Sequence, residues 1–127
     1  MPIVRFHKAT NPTTLEEVRV QTDAILYVEE LPDTQIGRTT IQVTGLHSDG
    51  IRITESLAEV LIYLPALVST FRHYHAGAPP EGASVVHIAP HNVSHILPNV
   101  SHDPAFWTLH FRDESELRVT HPLPANL

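Results

Sequence analysis

The sequence predicts an α+β domain: two small antiparallel β units, related by an internal duplication, packed around one kinked apolar helix. Three observations predict it. Short β-branched segments separated by turn residues fill the stretches before residue 54 and after residue 84. Between them, every residue from Leu57 to Val68 except Glu59 and Pro65 is apolar, and a helix apolar on nearly all sides is buried on nearly all sides. The apolar positions of the two β stretches also recur at a nearly constant offset. The 127 residues fit one domain, 1–127. With 42% hydrophobic and 17% charged residues the chain can bury a core and is too sparsely charged for a disordered tail.

Each element has its own signal. Ile3-Val4-Arg5-Phe6 reads as a short edge strand, and Asn11-Pro12-Thr13-Thr14 as a turn. Val18-Arg19-Val20 alternates, and Ala24 to Val28 is β-branched and aromatic until Leu31-Pro32-Asp33-Thr34 breaks it. Thr39 to Thr44 alternates with period two, and His47-Ser48-Asp49-Gly50 turns the chain into Ile51-Arg52-Ile53. Ser56 and Glu59 have the spacing of a capping box, with Thr54 an alternative N-cap. They open a helix predicted over 55–73 and kinked at Pro65. Residues 76–84, rich in Ala, Gly and Pro, read as a linker. Val85 to Ile88 and Val93 to Leu97 read as strands, Pro98 to Pro104 as a polar loop, and Phe106 to Phe111 as an alternating strand. Asp113-Glu114-Ser115 turns into Leu117 to Thr120, and Pro122 and Pro124 exclude an ordinary helix from the tail.

The duplication rests on matched positions. Val20, Ile25 and Val28 fall on Ile88, Val93 and Ile96 at an offset of 68, and Ile51-Arg52-Ile53-Thr54 falls on Leu117-Arg118-Val119-Thr120 at an offset of 66. Leu57 and Leu61 then fall on Leu123 and Leu127. The units, about 18–61 and 85–127, are each too small to bury enough surface alone, which implies a shared pseudo-two-fold core.

Four segments carry a family likeness: Thr22-Asp23-Ala24-Ile25, Val28-Glu29-Glu30-Leu31-Pro32-Asp33-Thr34, Gly50-Ile51-Arg52-Ile53 and Thr54-Glu55-Ser56-Leu57-Ala58-Glu59-Val60. On these residues the stretch 18–61 resembles the FlbD-like family of small bacterial proteins, with a weaker echo in 85–127. The resemblance implies a regulatory or interaction module without catalytic residues. The order of Ile25 to Glu29, Leu57 to Leu61, Phe71-Arg72-His73 and Val93 to Ile96 also looks faintly like a LytTR-type module, against which residues 76–84 are an insertion. Such modules bind DNA, and the acidity of this chain argues against carrying that property over.

Charge and composition exclude several classes. Lys+Arg is 8 and Asp+Glu 14, a net charge of −6, and Lys8 is the single lysine. A nucleic-acid backbone binder carries the opposite balance. No apolar run reaches the roughly 18 residues of a membrane span, and the first residues lack the apolar region of a signal peptide. The absence of cysteine excludes disulfides, thiolate zinc sites and cysteine nucleophiles. A cytoplasmic protein is the simplest reading. There is no G-x-S-x-G, P-loop or G-x-G-x-x-G, and no spacing of Ser, His and Asp favours a triad.

The histidines are uneven. Of 10, His7 and His47 lie in the first half and the rest follow residue 72, so the charge of the second half depends on pH. His73-Tyr74-His75 is an H-x-H pair, followed by Glu81 and by His87, His91 and His95. His73, His75, His87 and His95 are the candidate ligands for a divalent metal, zinc or nickel. The plainer alternative is a solvated, titrating surface. Glu29, Glu30 and Asp33 form an acidic cluster beside a turn, as do Asp113, Glu114 and Glu116. The first cluster is a candidate surface for a basic protein partner, although solvated turn carboxylates look the same. Trp107 shares a strand face with Phe111 and is a candidate interface anchor or a core residue. Tyr27 and Trp107 are candidates for lining a small-ligand pocket between the units.

The function expected from these signals is a non-enzymatic interaction or regulatory module that binds a protein partner and self-associates as a homo-oligomer. A histidine-rich metal protein and a small-ligand binder are the alternatives.

Overall fold

A computed structural model of the chain describes residues 3–11, 14–30, 38–45, 50–64, 66–72, 85–99, 105–120 and 123–127. Among them are ten strands: β1 (Ile3–Asn11), β2 (Thr14–Gln21), β3 (Ile25–Glu30), β4 (Thr39–Val43), β5 (Ile51–Ile53), β6 (Val68–Phe71), β7 (Val85–Ile88), β8 (Val93–Asn99), β9 (Phe106–Phe111) and β10 (Glu116–Thr120). One α-helix, α1 (Leu57–Tyr63), follows β5, and single 3-10 turns at Thr22–Ala24 and Pro90–Asn92 lead into β3 and β8. The strands run β2-β1-β5-β4-β3-β7-β6 in one antiparallel sheet and β10-β9-β8 in another, and the bridge Arg72↔Val119 joins them.

The architecture corrects the predicted class. The protein is mostly β, and the balanced α+β arrangement around a long kinked helix is not formed. The helix spans Leu57–Tyr63 instead of 55–73. Its start is the expected capping box, with the Glu59 N–H donating to Ser56 Oγ at 3.2 Å. Its end precedes Pro65, which disfavours helical backbone at Leu64. Leu64 stands at φ −131°, ψ 63°. Beyond it, Val68, Thr70 and Phe71 suit a pleated ladder better than a helix, and β6 pairs with β7 through Val68↔Ile88 to Phe71↔Val85. Nor is the helix enclosed: Val60 is buried, but Ile62 is 74% and Tyr63 58% exposed.

The same ladder occurs twice. In the β3–β4 pair the register shifts between Ile25↔Val43 and Tyr27↔Gln42. In the β8–β9 pair it shifts between Val93↔Phe111 and His95↔His110, 68 residues on. The β4–β5 pair Ile41↔Ile51 has its counterpart in Leu109↔Leu117 of β9–β10. The β1–β2 hairpin, with Val4↔Val20, corresponds to the β6–β7 hairpin, with Val68↔Ile88. Even the single pairing Lys8↔Ile53 has a partner in Arg72↔Val119. Each ladder therefore includes an N-terminal hairpin whose first strand, β1 or β6, lies outside the matched stretches 18–61 and 85–127.

Two apolar clusters hold the halves. Phe6, Val20, Ile25, Val28, Ile41, Ile53, Val60 and Leu64 form the first. Leu26, Val86, Ile88, Leu109, Phe111, Leu117 and Val119 form the second, with Leu123 and Leu127 of the tail packed on it. Strand β3 serves both, because the irregularity between Ile25 and Tyr27 lets Ile25 and Val28 share a face while Leu26 turns to the other. Asn92 Nδ2 donates to the carbonyls of Asp23 and Ile25, and the Gly45 N–H donates to Asp113 Oδ2, so polar bonds also cross between the halves. No helix among the described residues is long and apolar enough to cross a membrane.

Candidate functional site

The halves meet where β3 pairs with β7, through Tyr27↔Ile88, Val28↔His87 and Glu29↔Val86. The Ala89 N–H donates to the Leu26 carbonyl at 2.9 Å. Antiparallel bonding alternates with period two, so the backbone groups of Val28 and His87 also point into this seam. By the repeated ladder, the counterpart of β3 is β8 and the counterpart of β7 is β2. With the two sheets joined through the Arg72↔Val119 bridge between the ends of β6 and β10, these two strands stand at the two ends of the strand order, and among the described residues neither is paired along its outer edge. One seam of the repeated architecture is thus formed and its counterpart is open.

The two open edges differ in chemistry. On β2, Val20 is buried and Val18 packs against the first cluster, while Glu16, Glu17 and Arg19 are exposed. Glu17 is held by Arg19 at 3.2 Å and by Arg5 at 3.8 Å. On β8, Ile96 packs on the second cluster, and Leu97 is 50% exposed. Pro98 lacks a backbone donor and belongs on an edge strand. His95 stacks on His110 across the β8–β9 pair at 4.4 Å and accepts or donates to Ser94 Oγ at 2.7 Å. His110 Nδ1 lies 3.5 Å from Glu116 Oε2.

The expected site residues scatter over this frame. His73, His75 and Asp33 lie outside the described residues. His87 sits half-buried on β7 between Ser69 and Val28, where burial lowers its pKa. His95 sits on β8, the edge strand of the other sheet. Among the described residues, no three His, Asp or Glu side chains are grouped so as to hold a metal ion. Strand alternation separates the two glutamates. Glu30 is exposed, whereas Glu29 turns inward and accepts from Arg72 Nη1 at 2.9 Å, its other oxygen buried without a hydrogen bond. Tyr27 stacks on Phe111 at 5.9 Å, and both Tyr27 and Trp107 pack on the second cluster.

The open edges were missed because pairing between distant strands leaves no local trace. Two signals did point to them: Pro98 within β8 and the charges of β2, both usual on edge strands. Comparison with protein-family models, with curated proteins and with solved structures finds no match.

Proposed function

We propose that this chain is a non-enzymatic interaction module of the cytoplasm, which engages a protein partner by adding a strand to its open sheet edges. The observation that supports this reading is that, among the described residues, the outer edges of β2 and β8 are unpaired, with the half-exposed Leu97 on one of them. An exposed edge offers main-chain donors and acceptors for affinity, and its alternating side chains offer specificity.

The test is selection of extended peptides from a display library on the immobilised full-length protein. Enriched peptides should carry alternating apolar residues, and their binding should weaken by about tenfold, or about 1.4 kcal/mol, in Arg19→Pro or Leu97→Glu. No enrichment, or binding indifferent to both substitutions, overturns the reading.

A further inference from the structure

We infer that the strand completing the β8 edge is β2 of a second copy of this chain, with the β2 edge completed reciprocally by the second copy's β8. The inference rests on the interaction reading above and names its partner.

The register comes from the seam already formed. Tyr27↔Ile88, Val28↔His87 and Glu29↔Val86 in β3–β7 become His95↔Val20, Ile96↔Arg19 and Leu97↔Val18 when each residue is replaced by its counterpart 68 positions away. In that register the half-exposed Leu97 faces Val18, so two apolar side chains leave water together. The outward backbone groups are Ile96 on β8 and Arg19 on β2, the counterparts of Val28 and His87. Pro98 falls opposite Glu17, one step past the ladder, and its missing N–H ends the pairing there.

Charge permits this combination of edges. Strand β2 carries Glu16, Glu17 and Arg19, whereas β8 carries no carboxylate, lysine or arginine. In the β2–β8 register no carboxylate of β2 meets a like charge, and Pro98 falls outside the ladder. Because every copy owns one edge of each kind, two copies related by a two-fold axis can form two identical β2–β8 seams, and this closed arrangement is the one inferred; a rotation that does not close would give an open filament instead.

The chain has no cysteine, which makes the test clean. Residues 18 and 97 would be a directly opposed pair, with Cα atoms about 4.5–5.5 Å apart, within disulfide range. Copies carrying Val18→Cys are mixed with copies carrying Leu97→Cys and mildly oxidised. The expected result is a covalent dimer containing one of each, abolished when Arg19→Pro is added to the first. No mixed disulfide overturns the inference. So does a disulfide formed within single chains of the Val18→Cys, Leu97→Cys double variant, which would mean the seam closes inside one molecule. Sedimentation of the unmodified protein is independent of whether the variants fold. A dimer that Arg19→Pro dissociates supports the inference, and a monomer at every concentration overturns it. If selected peptides still bind a monomeric protein in an edge-dependent way, this inference alone fails. If they do not bind either, the interaction reading fails with it.

Discussion

Two titratable residues tie the stability of the fold to pH in different windows. His87 is half-buried between Ser69 and Val28, and burial lowers its pKa from the usual 6.5. The unfolded chain therefore takes up this proton first. Stability is unaffected above the unfolded pKa and falls as pH drops below 6.5 toward the lowered value. His87→Gln should flatten that slope, read as the pH dependence of the urea midpoint. Glu55 behaves oppositely. Burial raises its pKa, but the hydrogen bonds from the His7 backbone N–H at 2.9 Å and side chain at 2.8 Å outweigh it, and the net direction is down. Its stabilisation is present above the ordinary carboxylate pKa of 4.5 and is lost as pH falls through the lowered value. Glu55→Gln should cost about 1 kcal/mol at neutral pH, and the difference from wild type should vanish in acid. A third residue acts through the backbone. Gly50 has φ +91°, and a Cβ there would meet Thr40 Cγ2 at 2.6 Å and Gln42 Oε1 at 2.9 Å. Gly50→Ala should therefore destabilise by about 1–3 kcal/mol from the positive φ alone, with the contacts adding to it.

At the scale of elements, legibility followed locality. Strands β3, β4, β5, β9 and β10 could be read because alternation and turn residues are written within a few positions of each other. The hairpins read for β4–β5 and β9–β10 formed. The capping box at Ser56 and Glu59 is local too, and it formed as spaced. Ser56→Ala should cost about 1 kcal/mol, read by chemical denaturation, because it removes the acceptor for the Glu59 N–H. The far end of α1 was not legible. A run apolar through Leu67 and Val68 has no period that tells buried helix from buried strand, so β6 was absorbed into the helix. What decides it is the ladder with β7, many residues away. The same reason hid the candidate site. Val18, Arg19 and Leu97 read as ordinary strand residues, and only the strand order shows that, among the described residues, their edges are open. Glu29 and Glu30 read as one acidic cluster until strand alternation turned Glu29 inward to Arg72.

At the scale of the whole molecule, the described residues form two apolar clusters, and one strand belongs to both. Ile25 and Val28 of β3 sit in the first and Leu26 in the second. The β3–β7 ladder and the two Asn92 bonds cross at the same place. If the clusters were separable, each half would unfold at its own stability, as loosely joined units do. With β3 shared, neither cluster can open without exposing residues of the other. Ile41 and Leu109 occupy the same place in the two ladders, both wholly buried, one in each cluster. Ile41→Ala and Leu109→Ala should each cost about 2–5 kcal/mol. Each should also lower the amide exchange protection of both halves by the same amount, with a single unfolding transition retained. Protection lost only in the half that carries the substitution would show two separable units. The shared strand would then be a hinge, and closing the open seam through a second copy would have to supply the coupling that β3 does not.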